Sequence, residues 1–161
     1  MRKVLYWIPL IFAVAFIISM YVLILAKPAD DIHKINKALP AIEAKSMSGK
    51  VLPRSGDYII YFFATWCATC NEQFEQIKVL KDNGIDIYAI AMNDNLAQVN
   101  NVLGKNQGLY KGVYNDFDAS LAIEFGVVGV PEVIVVKNGV MVARCNGIDN
   151  AGERMVCGVR L

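Results

Sequence analysis

Two cysteines separated by two residues, Cys67 and Cys70 in Trp66-Cys67-Ala68-Thr69-Cys70, have the types and spacing for sulfur chemistry. On a helix they stand about one turn apart, so a small-ring disulfide or an open dithiol forms without unfolding it. The nucleophile in disulfide exchange is the thiolate, which the free N–H groups and dipole of a helix N-terminus favour. Cys67, first in the pair and expected to be exposed, is therefore assigned the attack on a partner, and the more buried Cys70 the resolution. Two plainer assignments compete. Half of a zinc site needs a second ligand pair, but Cys145 and Cys157 are not a C-x-x-C pair and the single histidine, His33, lies far upstream. The other is a structural disulfide or inert core thiols, which a strand–C-x-x-C–helix setting disfavours.

That setting is legible in the flanking residues. Tyr58-Ile59-Ile60-Tyr61-Phe62-Phe63-Ala64 is a short, aromatic and β-branched apolar run, as in a strand buried on both faces. After the cysteines, Cys70, Phe74, Ile77 and Lys81 recur at helical spacing, with Leu80 beside them and Asn83-Gly84 as a stop. Ile85–Met92 predicts a second buried strand. Asn93-Asp94-Asn95 offers N-caps for a helix to about Gly104, with Leu96, Val99, Val102 and Leu103 as its apolar face. Gly112–Asn115 fits a short strand, and Asp118 caps a helix over Ala119–Phe125. Pro131–Val136 runs through Lys137-Asn138-Gly139 into Val140–Arg144, an Asn-Gly hairpin. The tail from Asp149 to Leu161 predicts a short final helix weakened by Gly152 and Gly158.

The 161 residues carry 16 basic and 15 acidic side chains, and a net charge of +1 argues against a nucleic-acid partner. Their one strong asymmetry is N-terminal. Met1-Arg2-Lys3 precedes an uncharged run from Val4 to Ala26, about 23 residues where a membrane helix needs about 20. No small-residue cleavage pattern follows, so an uncleaved signal anchor is expected. Residues 1–3 then stay in the cytoplasm and the remainder lies outside, where disulfides persist. Residues 27–38 are expected as a polar tether with His33 as a solvated residue, and residues 39–161 as the folded domain. Leu39-Pro40 to Leu52-Pro53 is expected to be an extended lead-in with a turn at Ser48-Gly49-Lys50.

The assembled pattern resembles the thioredoxin fold, an α/β arrangement with a central mixed sheet flanked by helices, here preceded by one transmembrane helix. More narrowly it is similar to the membrane-tethered thioredoxins of cytochrome c maturation, the CcmG/DsbE family. Phe63-Ala64-Thr65-Trp66-Cys67-Ala68-Thr69-Cys70 and Phe125-Gly126-Val127-Val128-Gly129-Val130-Pro131-Glu132 carry the resemblance, together with the anchor. It implies a cis-proline at Pro131 facing the cysteines. Val130 then offers its backbone, and Trp66 its ring, to an extended protein substrate. Glu132 becomes either a tuner of thiol acidity or a solvated strand-end carboxylate. Three departures stand out. Ala68 follows the first cysteine where many members have proline, Tyr61 occupies the place of the buried aspartate of thioredoxins proper, and the stretch after Gly147 is short for a final helix. Cys145 and Cys157 are not family active-site positions; they are either a second disulfide or two small buried residues.

The resemblance implies a disulfide reductase of the bacterial inner membrane with a periplasmic domain, needing no metal or other cofactor. Its client would be apocytochrome c or a haem-lyase component with a cysteine pair, and a membrane thiol-transfer protein would restore the dithiol. The alternatives are a general disulfide oxidant, a Cu(I)-delivery protein using the same cysteines, and a chaperone that binds peptide without redox turnover.

Overall fold

The computed structural model describes residues 7–25, 33–41, 47, 49, 51–92, 94–106, 108–148 and 151–161. The N-terminal and C-terminal units, Met1–Asp30 and Asp31–Leu161, are separate bodies. In the first, helix α1 runs over Trp7–Leu25 without a charged residue. Its side chains are described only from Phe12 to Tyr21, about half the length of a bilayer crossing. Among the described residues no helix is long and apolar enough to cross a membrane.

The second unit is built on a six-stranded sheet in the order β1-β6-β5-β2-β3-β4. These strands are β1 His33–Ala38, β2 Tyr58–Phe63, β3 Ile87–Met92, β4 Gly112–Asp116, β5 Glu132–Lys137 and β6 Val140–Cys145. β2, β3 and β4 are parallel; β5, β6 and β1 add antiparallel neighbours. This is the mixed sheet of the thioredoxin fold. β2 is the centre, and all six of its residues are buried. Ile59, Tyr61 and Phe63 enter one core layer, and Tyr58, Ile60 and Phe62 the other. A strand packed on both faces needs a continuous apolar run, which is why no alternation shows in its sequence.

Helices α3 (Phe74–Asp82) and α4 (Leu96–Lys105) supply Ile77, Leu80 and Val99 to the first layer. Helix α5 (Ser120–Phe125) supplies Leu121, Ala122 and Phe125 to the second. The Asn83-Gly84 stop is present, with Gly84 at φ +82°. Asn95 caps α4 by accepting from the Ala97 N–H at 2.8 Å. The hairpin turn has Asn138 at φ 50° and Gly139 at φ 80°, the pairing that matches the twist of two-residue hairpins. A Cβ on Gly139 would run into the Arg54 carbonyl oxygen, so any other residue there must displace the chain.

Four expectations are corrected. His33–Ala38, read as the end of the tether, is edge strand β1, paired with β6. Its one partly buried residue is Ile35, and Lys34 and Lys37 keep the open edge charged. Leu96 does not join the apolar face of α4; at the first helical position it is 53% exposed. Asp118 accepts from the Ser120 N–H at 3.2 Å, whereas Asp116, buried at the end of β4, accepts from the Leu121 and Ala122 N–H groups at 2.9 and 2.8 Å and is the carboxylate that starts α5. Among its described residues, 151–161, the tail forms no α-helix. It makes a single 3-10 turn over Ala151–Glu153 and a small hairpin of β7 (Met155–Val156) and β8 (Val159–Arg160). Arg154 at φ 56°, Cys157 at 49° and Gly158 at 68° break any helical run. The turn expected at Ser48-Gly49-Lys50 lies largely outside the described residues.

Candidate active site

Chain leaving β2 passes through Thr65 and Trp66 to Cys67, the N-cap of the short helix α2 (Ala68–Glu72). The expected single helix is divided at Gln73. There the N–H bonds back to Cys70 O at 3.2 Å, and the side-chain Oε1 accepts from Ile148 N–H at 2.6 Å. Cys67 and Cys70 are joined as a disulfide; Cys70 is wholly buried, and Cys67, expected to be exposed, is nearly buried as well because it packs into the first core layer. The Cys70 N–H points at Cys67 Sγ from 3.1 Å. When the bond opens, that donor favours a thiolate on Cys67, because a hydrogen bond to the charged form stabilises it. The buried Cys70 is then the sulfur a large partner does not reach.

Across from the pair stands the loop between α5 and β5. The Val130–Pro131 peptide is cis, and the Val130 carbonyl oxygen lies 3.8 Å from Cys67 Sγ. Val128, Gly129, Val130, Pro131, Glu132 and Asn146 line a cleft of about 360 Å³. Through Val128, Glu132 and Asn146 it joins a second cleft of about 360 Å³ that reaches His33, Arg144 and Cys145. Trp66 is 63% exposed beside Cys67, and Val128 is 97% exposed. The structure thus brings Trp66, Cys67, Cys70, Val130 and Pro131 to one end of the sheet. Glu132 adjoins them, but it is buried and paired with Arg144 at 2.7 Å rather than solvated. Burial pushes its carboxyl up, while Arg144, His33 and a backbone N–H from Val128 act the other way.

Two residues near the site were not anticipated in these roles. Asp94, 3% exposed, accepts from the Thr65 N–H at 2.5 Å, the Thr65 hydroxyl at 2.8 Å and the Asn95 N–H at 2.8 Å. It pins the turn that delivers Cys67. In sequence it was hidden inside a triplet of N-cap residues. Arg144 ties the opposite loop, and its only signal was a charge inside an apolar strand. Tyr61, below the pair, donates to Cys70 O at 3.3 Å, and burial pushes its phenol up. It stays protonated at neutral pH and is no substitute for a buried base.

The second pair, Cys145 and Cys157, is also a disulfide. It ties the end of β6 to the β7–β8 hairpin, and Ile148, Ala151 and Val156 cover the layer that holds α3. This replaces the final helix.

Comparisons with known proteins agree with this geometry. HelX of Rhodobacter capsulatus, a thiol:disulfide interchange protein, is 28% identical over 109 residues, covering 68% of this chain and 58% of that protein. The thiol:disulfide interchange protein DsbE of Pasteurella multocida is 27% identical over 148 residues, covering 84% and 81%. The chain spans only 50–59% of the length of HelX, DsbE of Tatumella citrea and CycY of Rhizobium leguminosarum. In fold it is similar to MTB DsbF, with a TM-score of 0.62 at 21% identity over 74% of this chain and 93% of that one. Residues 37–156 match the redoxin family, and alongside relatives named thiol:disulfide interchange proteins the chain belongs to the redoxin family.

Proposed function

We propose that this protein is a membrane-anchored, extracytoplasmic thiol–disulfide oxidoreductase that reduces a protein disulfide during cytochrome c maturation. The observation that carries the reading is the Cys70 N–H aimed at Cys67 Sγ, with the Val130–Pro131 backbone open across from it. In the reduced protein the Cys67 thiolate attacks one sulfur of the client disulfide. The client's other sulfur leaves as a thiolate, and Cys67 is joined to the client. Cys70 then gives up its proton and attacks Cys67 Sγ, which expels the client dithiol and closes the Cys67–Cys70 bond. Two electrons and the Cys70 proton pass to the client, whose second sulfur leaves as a thiolate and takes its proton from water. The Tyr61 phenol holds its own proton, so the departing client thiolate is the acceptor for that of Cys70.

The client is a protein with a cysteine pair, apocytochrome c or a haem-lyase component, held as an extended segment against Val130, Pro131 and Trp66. A membrane thiol-transfer protein returns the electrons. Supporting the anchor, α1 has 19 uncharged residues, about 28 Å of helix against a hydrocarbon core of about 30 Å. Arg2 and Lys3 favour a cytoplasmic N-terminus, placing the redoxin domain in the periplasm.

Equilibration of Cys67–Cys70 with dithiothreitol or glutathione buffers tests the direction. A potential at or below about −200 mV supports a reductant, and one near −120 mV makes the protein an oxidant. Labelling of Cys67 in spheroplasts by a membrane-impermeant thiol reagent is expected; release of a trimmed soluble form removes the anchor.

A further inference from the structure

Arg144 lies on β6, opposite Ile134 of β5 and His33 of β1. Its guanidinium makes three contacts. Nη2 donates to Phe125 O at 3.0 Å, Nη1 donates to Gly126 O at 3.1 Å, and Nη2 pairs with Glu132 Oε1 at 2.7 Å. Phe125 and Gly126 end α5, where carbonyls lack helical partners and a cation is favoured. The Glu132 carboxylate also receives the Val128 N–H. The segment from Gly126 to Pro131 is therefore tied at its start, in its middle and just past its end by one ion pair. Between those ties it carries Val128, nearly fully exposed, and the Val130 carbonyl that faces Cys67.

We infer that Arg144 and Glu132 are positioning residues that hold the Val128–Pro131 wall of the cleft, and so set selectivity for protein disulfides over small ones. This rests on the reductase reading above. Both Nη groups of Arg144 are engaged, by Glu132 and two carbonyls. Glu132 is paired with Arg144, and among the described residues the contact from this loop to the redox pair runs through Val130. A small disulfide needs only the Cys67–Cys70 pair. An extended peptide needs the wall held in register, where a shift of about 1 Å is enough to weaken a bound geometry.

The test compares full-length protein in detergent micelles with Arg144→Met, Arg144→Lys, Glu132→Gln and the Arg144→Met/Glu132→Gln double variant. Two substrates are used: a peptide with an internal Cys-x-x-Cys disulfide, and hydroxyethyl disulfide. Arg144→Met is expected to raise KM for the peptide about tenfold with kcat within about twofold, and to leave hydroxyethyl disulfide and the pH profile unchanged. Glu132→Gln should do the same, the double variant should add little, and Arg144→Lys should recover part of the loss. Equal losses on both substrates, or a moved pH profile, mean the pair tunes the thiol instead and overturn the inference. If Arg144→Met does not fold, Arg144→Lys and Glu132→Gln decide, and an unchanged peptide KM in both overturns it. A wild-type protein inert toward both disulfides overturns the reductase reading and the inference with it; an active wild type with unaffected variants overturns only the role of the pair.

Discussion

The two disulfides of this chain are buried to nearly the same degree, yet their surroundings are opposite. Cys67 is 8% exposed, Cys145 7% and Cys157 6%, so accessibility does not separate a reactive pair from a structural one. The groups around the sulfurs do. Cys67 Sγ faces a backbone donor, the Cys70 N–H at 3.1 Å, with the Val130 carbonyl farther off at 3.8 Å. Cys145 Sγ faces the Gly147 carbonyl at 3.2 Å, and Cys157 Sγ faces that of Val133 at 3.7 Å. Once reduced, a sulfur against a donor is stabilised as thiolate, and one against an acceptor is stabilised as thiol. The surroundings thus favour a thiolate at the first pair more than at the second.

Breaking one sulfur in each pair gives the widest separation. Cys67→Ser should lower exchange with a Cys-x-x-Cys peptide by about 10³-fold or more, since the attacking atom is gone. Cys70→Ser should accumulate mixed disulfides with clients, visible on non-reducing gels. Replacing Cys145 and Cys157 together by Ala should leave exchange within about twofold. It should cost about 3 kcal/mol of stability, as expected for opening a loop of this size, and lower Tm by roughly 6–12 °C. Calorimetry and turnover on the same preparations check this. If the double variant loses exchange as Cys67→Ser does, the second pair takes part in the chemistry and the contrast fails.

How much of this was readable from sequence follows from how local each feature is. The strand before the cysteines, the Asn-Gly hairpin and the Asn83-Gly84 stop depend on neighbours in the chain, and each lies where periodicity and turn chemistry put it. The cysteine pair at a helix start was equally local. Pro131 came from resemblance, because spacing alone does not say that the chain folds back onto Cys67. The misses are all tertiary. β1 has one partly buried residue and depends on β6 for its pairing, so its sequence reads as a tether. The tail read as a weak helix because the constraint on it is a disulfide 12 residues away in sequence, not a periodic pattern. Asp94 and Arg144 act on loops 29 and 18 residues away, a relation no single stretch displays.

A smaller effect is expected at Asp94, which serves only the first pair. Asp94→Ala leaves the Thr65 N–H without its acceptor at a part-buried site and the Thr65 hydroxyl with only the longer bond to Gln98, and should cost about 1–3 kcal/mol. Exchange through Cys67 should also slow, by about fivefold to tenfold, because the turn that presents it is loosened. Asp94→Asn keeps one acceptor oxygen and should lie between. The Cys145–Cys157 bond should be equally resistant to dithiothreitol in all three proteins. A parallel weakening of both disulfides would mean that Asp94 supports the fold as a whole.

The smallest effect sharpens the contrast from below the active pair. Tyr61 donates to Cys70 O at 3.3 Å, a long bond whose loss in Tyr61→Phe should cost about 1 kcal/mol or less. Burial pushes its phenol well above the usual value of 10.0, so from pH 6 to 9 it neither loses nor gains a proton. Exchange in Tyr61→Phe should therefore keep the wild-type rate within about twofold and the same pH profile. Stability above pH 10 should respond instead. An unfolded tyrosine ionises there while the folded one holds its proton, so folded protein binds more protons and loses stability as pH rises. Tyr114, pushed up to about 12, loses stability in the same direction, so the wild-type decline is shared. Removing the Tyr61 phenol should flatten the decline between pH 10 and 12 without touching the neutral-pH rate. A changed neutral-pH profile would make the phenol a proton acceptor for Cys70, and the donor at Cys67 would no longer account for the difference between the two pairs by itself.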